Sequence, residues 1–337
     1  MAPLRWGIVG AGKISHDFTT AVATLPKEDH QVMAISARNS ESAQKFAQLH
    51  GIIKFYEGYE SLAKDPNVDA VYIGAINTKH YEIGTLMLDH GKHVLCEKPL
   101  CMNEGQSKSL MAHARRKRLF LMEAIWSRFF PSYIHLKNRI DAGELGEIKA
   151  VDVEFGFPLV EVDRLRLKDL GGGTVLDLGV YTIQVSLWAF GMEPDKIIAK
   201  GKLNEERVDV EMEAQLHFPN GGIATMKCSA LEQLANRAEI RGTKGTMTLH
   251  DFWCPVSLTD IDGSKKEFTL PKAPHTFNYQ NSCGLRFEAE ETRRCINAGL
   301  LESAVVPHSE STLIARIQDE IRRQIGVQFP EDAHFKV

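Results

Sequence analysis

The sequence predicts an α/β chain: a doubly wound parallel sheet first, then an α+β domain built on a large, mainly antiparallel, open-faced sheet. Three observations carry that expectation. The first apolar run passes into a helix through a glycine turn, Gly10-Ala11-Gly12. Across the first third, short continuous apolar runs alternate with helical patterns, as in a parallel sheet covered on both faces. Further on, long stretches alternate apolar and polar residue by residue, as in a sheet with one wet face.

The elements follow in order. RWGIVG (5–10) is an apolar strand ending in glycine, and 14–25 reads as a helix. HQVMAISA (30–37) is a second strand, and SESAQKFAQLHG (40–51) a helix with a glycine stop. NVDAVYIGA (67–75) is an apolar strand and TKHYEIGTLMLDHG (78–91) a helix closed by Gly91. HVLCEKP (93–99) is a strand, NEGQSKSLMAHARRKR (103–118) a helix, and LFLMEAIW (119–126) a further strand. The pattern then changes, and the domain boundary is placed there, dividing the chain into 1–125 and 126–337. A helix over 133–146 stops at Gly143 and Gly146. AVDVEF (150–155) alternates. VDVEMEAQLHF (208–218) sets Val, Val, Met, Ala, Leu and Phe against Asp, Glu, Glu, Gln and His. Pro219-Asn220-Gly221-Gly222 and Asp262-Gly263 signal hairpins, and helices over 285–299 and 309–325 follow.

Composition narrows the function. A net charge of −4 gives no electrostatic case for nucleic acid or an anionic membrane. No apolar run nears the roughly 20 residues that span a bilayer. MAPLRWGIVG runs straight into a strand, without the charged leader and apolar core of a signal peptide. Cys96, Cys101, Cys228, Cys254, Cys283 and Cys295 form no C-x-x-C pair and lie near no histidines at zinc-finger spacing. Reduced thiols, a cytoplasmic location and no metal site are expected.

Gly10-Ala11-Gly12-Lys13-Ile14-Ser15 reads as G-x-G-x-x-S, the dinucleotide-binding fingerprint with serine in the third glycine place. Gly10 allows the tight turn and Gly12 the approach of a pyrophosphate; position 15 must be small for helix and strand to pack. The helix N-terminus, at Lys13 and Ile14, offers N–H groups to the phosphates. The first domain is therefore expected to be a Rossmann domain. NAD-binding forms usually end the second strand with an acid. Here it ends Ser36-Ala37-Arg38-Asn39. Arg38 is placed to pair with a 2′-phosphate, so NADP is favoured over NAD.

Ligands of a doubly wound sheet sit outside the carboxyl ends of its strands, where Glu97-Lys98-Pro99 lies. Pro99 biases Lys98 toward an extended backbone, which aims its ammonium at that crevice. Glu97 could orient the lysine or bind the cofactor. A lysine so placed suits oxidation of an alcohol by hydride transfer.

GIVGAGKIS (7–15), INTKH (76–80), CEKPL (96–100) and GGGTVLDLGVYTIQ (171–184) together resemble the glucose–fructose oxidoreductase / inositol dehydrogenase family along essentially the whole chain. The resemblance implies that Lys98, Asp177 and Tyr181 surround a substrate hydroxyl near the nicotinamide. Tyr181 would accept the proton, Lys98 would stabilise the oxygen's charge, and Asp177 would orient substrate or lysine; Lys98 and Tyr181 could exchange roles. The spacing of Asp177 and Tyr181, i and i+4, puts both side chains on one face of a helix. Tyrosine where histidine is more usual favours the branch acting on dihydrodiols and xylose. Asn77 and His80 would approach the cofactor. Trp126 and Phe155 would line the substrate pocket, and the open sheet of the second domain would pair face to face in a homodimer.

The favoured function is hydride transfer between NADP and a trans-dihydrodiol, or the anomeric carbon of an aldose such as D-xylose. The same site could work in reverse as a reductase of sugar-derived dicarbonyls or lactones. A non-catalytic NADP sensor is the reading from another class. Retention of Lys98, Asp177 and Tyr181 together argues against it.

Overall fold

The first sheet forms because its runs are apolar on both faces and short. The computed structural model describes residues 2–333. The first elements are β1 (Leu4–Val9), α1 (Lys13–Val22), β2 (His30–Ala37), α2 (Ser40–His50), β3 (Lys54–Glu57), α3 (Glu60–Ala63), β4 (Ala70–Ile73), α4 (His80–Asp89), β5 (His93–Glu97), α5 (Glu104–Lys117) and β6 (Leu121–Ala124). All six strands are parallel, in the order β3-β2-β1-β4-β5-β6. Every residue of β4 and β6 is buried, as is all of β5 after His93. Val71, Ile73, Val94, Cys96, Met87 and Leu110 share one core. The strand order reverses between β1 and β4, which opens the crevice where such sheets take ligands. β3 and α3 have no counterpart in the sequence reading. KFYE alternates partly buried and exposed residues at the sheet edge and is too short to stand out.

The chain continues through α6 (Pro131–Asp141), β7 (Ile148–Gly156), α7 (Asp163–Arg166), α8 (Thr174–Asp177), α9 (Gly179–Phe190), β8 (Lys196–Leu203), β9 (Asp209–His217), β10 (Ile223–Ser229), β11 (Arg237–Gly242), β12 (Thr246–His250), β13 (Ser257–Thr259), β14 (Lys265–Glu267), α10 (Leu285–Asn297) and α11 (His308–Ile325). The second sheet runs β14-β13-β12-β11-β7-β10-β9-β8; β7 and β10 are parallel and the other neighbours antiparallel. Along β9, Met212, Ala214 and Leu216 are buried while Glu213 and Gln215 are exposed, with Val208 and Phe218 buried at its ends. The acidic wet face is balanced by β8, where Lys200 pairs with Glu213 at 2.8 Å and Lys202 with Glu211.

In space the chain groups into two compact units that are each discontinuous in sequence. One unit comprises the chain up to Cys101, Gln106–Phe129 and Leu270–Ser311; the other comprises Met102–Gly105, Phe130–Thr269 and the chain from Thr312 on. Long-range polar bonds explain the late return. Asp17 on α1 accepts the N–H groups of Asn278 and Tyr279 at 2.8 and 2.9 Å. Buried His30 bridges the Trp6 indole, at 3.1 Å, and Glu290, at 2.9 Å. The Leu121 N–H donates to Leu301 O at 3.1 Å, outside any strand pairing.

In the second unit the glycine run before α8 is demanded by the backbone. Gly173 has φ +114, and a Cβ there would collide with the Asp209 carboxylate. That buried carboxylate accepts the Thr174 hydroxyl at 2.6 Å and the Val175 N–H at 2.7 Å, fixing the start of α8. Gly173→Ala is expected to cost about 2 kcal/mol or more, read as a lower midpoint in denaturant unfolding. An unchanged midpoint would contradict this account of the turn.

Candidate active site

The turn after β1 has the geometry a pyrophosphate needs. Gly10 has φ +96, and a Cβ there would lie 3.0 Å from the Gly74 carbonyl oxygen. Gly12 caps α1 with no side chain bonded to the first-turn N–H groups of Lys13 and Ile14, which leaves them for an anion. Ser15 is fully buried against Gly74, whose missing Cβ would collide with the Ser15 hydroxyl oxygen. Serine can replace the third glycine because the facing strand end supplies a glycine instead. Arg38 is exposed immediately after β2. Asn39 caps α2 by accepting the Ser42 N–H at 2.9 Å, and Ser36 is buried. These residues fit a dinucleotide.

The turn after β5 is held at each residue. Lys98 is partly buried, its peptide bond to Pro99 is cis, and its N–H donates to Glu97 Oε2 at 3.2 Å. The buried Glu97 carboxylate also accepts the Tyr72 hydroxyl. His80 is buried, with Nδ1 2.8 Å from Pro99 O and Nε2 3.0 Å from Ala75 O. Burial lowers its pKa against the pull of these carbonyls. His80 and Glu97, expected at the cofactor, both make bonds to the protein around Lys98, where the ends of β4 and β5 pack together. Asn77 is partly buried in the turn before α4, its Oδ1 accepting the Thr78 N–H at 3.0 Å. Leu100 N–H donates to Glu123 Oε1 at 2.9 Å. Glu123 was missed by sequence reasoning, since a lone acid inside LFLMEAIW gives no sign of its partner. Burial pushes its pKa up to about 7, against a stabilising bond from Ser311, with Glu310 and Glu97 adding repulsion. Trp126 opens the turn Trp126–Phe129 and is buried.

Asp177, Tyr181 and Phe155 belong to the second unit. Asp177 and Tyr181 do not ride one continuous helix. α8 ends at Asp177 and α9 begins at Gly179, with Leu178 between them at φ −101. Asp177 pairs with Arg164 at 2.7 Å, a partner from α7 that the D-x-x-x-Y spacing could not reveal. Buried Tyr181 meets Phe155 edge to face, with ring centroids 5.6 Å apart. Phe155 also stacks on Trp253 at 4.8 Å and meets Phe252 at 5.2 Å, while Phe157 meets Trp253 at 5.4 Å. The aromatic wall is therefore larger than Phe155 alone. Trp253 follows β12 in an irregular segment with no periodic signal.

Among the described residues, no helix is long and apolar enough to cross a membrane, and no group of three or more His, Cys, Asp or Glu could hold a metal ion. Residues 4–125 match the oxidoreductase family GFO/IDH/MocA, NAD-binding Rossmann fold, and 133–248 match the GFO/IDH/MocA C-terminal domain. The chain is 45% identical over 332 residues to trans-1,2-dihydrobenzene-1,2-diol dehydrogenase of Danio rerio, covering 98% of this chain and 99% of that one. It is 43% identical over 331 residues to the Homo sapiens protein of the same name, with the same coverage of both chains. A 3-ketoreductase from Actinomadura kijaniata, solved with NADP and TDP-benzene, is 26% identical with a TM-score of 0.81, over 96% of this chain and 98% of that one. A levoglucosan dehydrogenase solved with NADH, 21% identical, shares the fold with a TM-score of 0.83 over 96% of this chain and 97% of that one.

Glu123 makes stability depend on pH. Its folded-state pKa lies above that of an unfolded carboxyl, so the folded protein binds more protons between the two values. Stability falls as pH rises from about 4.5 through about 7. Glu123→Gln removes that titration. Wild type should lose about 3 kcal/mol relative to the variant across this window, read by denaturant unfolding at a series of pH values.

Proposed function

The chain belongs to the GFO/IDH/MocA oxidoreductase family and is an NAD(P)-dependent dehydrogenase; from that premise we propose that it transfers hydride between NADP and a trans-dihydrodiol, or the anomeric carbon of an aldose such as D-xylose. The observation that carries this reading is Lys98, presented at the carboxyl end of β5 on a turn bonded at Glu97, Pro99 and Leu100. The near full-length likeness to enzymes named for a dihydrodiol supports the substrate class. Residues 1–125 would hold the dinucleotide, and 126–337 the substrate and, through the second sheet, another copy of the chain.

The bound dinucleotide would accept the hydride from the carbinol carbon. Gly10, Gly12, Lys13 and Ile14 would hold its pyrophosphate, with Asn77 beside it and Arg38 pairing with the 2′-phosphate. Lys98 and Tyr181 would bind the substrate hydroxyl, Tyr181 taking its proton while the Lys98 ammonium stabilises the oxygen's developing charge. Asp177 would orient substrate. Trp126, Phe155 and Trp253 would offer apolar faces to a cyclohexadiene or a pyranose ring. The same groups would serve ketone reduction, a direction supported by the NADP-bound 3-ketoreductase of like fold.

The test follows absorbance of reduced nicotinamide with NADP or NAD, offering D-xylose, D-glucose, myo-inositol and a trans-dihydrodiol of benzene. NADPH formation with the dihydrodiol or xylose is expected, with little from inositol. Silence with all of these, despite tight NADPH binding, would overturn the reading in favour of a dicarbonyl reductase or a sensor. Lys98→Ala and Tyr181→Phe should each lower kcat by ~10²–10⁴-fold while NADPH binding persists. Arg38→Ala should raise KM for NADP by roughly 10–100-fold and leave KM for NAD little changed.

A further inference from the structure

Glu288 lies in the first turn of α10 with no exposed surface, and among the described residues neither of its carboxyl oxygens has a hydrogen-bond partner. Its helix packs against α1 and against the turn that carries Trp126. The charge acting on it comes from Glu97, the residue beside Lys98. The two buried carboxyls are unequal. Glu97 has the Tyr72 hydroxyl and the Lys98 N–H to stabilise a negative charge. Glu288 has no such donor, and burial first, then Glu97, drives its pKa well above the usual carboxylate range. The positive end of α10 acts the other way and does not prevail. Lys13 and His16 on α1 and Arg286 on α10 are charged or titratable neighbours on the packed elements, and several of the others are engaged elsewhere. On α10, Arg293 pairs with Glu290 and Arg294 with Glu291. In the Trp126 turn, Arg128 pairs with Glu310. On α1, Asp17 is taken by Asn278 and Tyr279. On β6, Glu123 is bonded to Leu100.

We propose that Glu288 is a positioning residue for the Lys98 turn: as a neutral acid it leaves Glu97 the charged member of the pair beside Lys98, and its ionisation disables the site at alkaline pH. Two neighbouring buried carboxyls cannot both ionise without strong repulsion. A second charge would therefore draw a proton onto Glu97, or displace its carboxylate from Tyr72 and the Lys98 N–H. Either event loosens the turn that presents the lysine. This inference rests on the dehydrogenase reading only for what Lys98 does.

The experiment compares wild type with Glu288→Gln, and with Glu288→Leu should the glutamine variant not fold. kcat/KM for dihydrodiol and NADP, NADPH affinity and melting temperature are measured from about pH 5 to about pH 10. The alkaline fall of kcat/KM in wild type should move upward by about one pH unit in the variant. Melting temperatures should diverge as pH rises above about 4.5, wild type losing ground, because its folded state holds the extra proton. Superimposed kcat/KM profiles would overturn the proposal, since a purely structural glutamate would lower stability without moving the alkaline limb. A melting difference constant across the range would overturn it too. If wild type turns over none of the substrates, the dehydrogenase reading fails separately. The alkaline limb of NADPH affinity then decides on Glu288, displacement supporting the proposal and superposition overturning it.

Discussion

The site depends on one constraint: the backbone around Lys98 must be fixed at the edge of a buried parallel sheet, where no neighbouring strand can fix it. Side chains do so instead. Glu97 holds the Lys98 N–H, Glu123 the Leu100 N–H, and His80 the Pro99 carbonyl. Each is itself buried, so each carries a desolvation cost that only its hydrogen bonds offset. Burial pushes Glu123, and Glu288 nearby in the same unit, toward their neutral forms. Order at the lysine is thus obtained at a cost in stability, the usual arrangement where a site and a core overlap.

The return of the chain through 270–311 follows from the same problem. A parallel sheet needs both faces covered. α10 supplies cover over α1, and the Asp17 bonds to Asn278 and Tyr279 secure the segment that leads into it. Because this cover comes from far along the chain, the phosphate-binding helix and the Lys98 turn both depend on residues more than 150 positions away. A strictly N-terminal dinucleotide domain would lack His30's bond to Glu290 as well as Glu288 itself.

What the sequence made legible was local. G-x-G-x-x-S gave the turn, and Arg38 and Lys98 could be placed by their distance from strand ends. VDVEMEAQLHF gave a half-wet strand, with Val208, Met212, Ala214, Leu216 and Phe218 buried, but Val210 is only partly buried and Asp209, expected on the wet face, is buried where it holds the start of α8. Illegible were pairings across the fold. The serine at position 15 is explained by Gly74, on another strand end. Arg164 on Asp177, Trp253 on Phe155 and Glu123 on Leu100 join residues with no common periodicity. His80 has its ring nitrogens at two backbone carbonyls, partners with no sign in the sequence. The sequence also showed no sign of the break at Leu178 between Asp177 and Tyr181, and spacing says where side chains point only while the helix is unbroken.

The two units differ in polarity around the residues singled out. The first concentrates titratable groups, Tyr72, Glu97, Lys98, Glu123 and Glu288, around one strand end. The second sets Tyr181 edge to face with Phe155, which in turn meets Trp253 and Phe252. On the proposed reading Lys98 supplies positive charge to the substrate oxygen. Its charge is useful only while the carboxyls beneath it do not neutralise it. A single negative charge on Glu97, already engaged by Tyr72 and the Lys98 N–H, meets that condition; two would not.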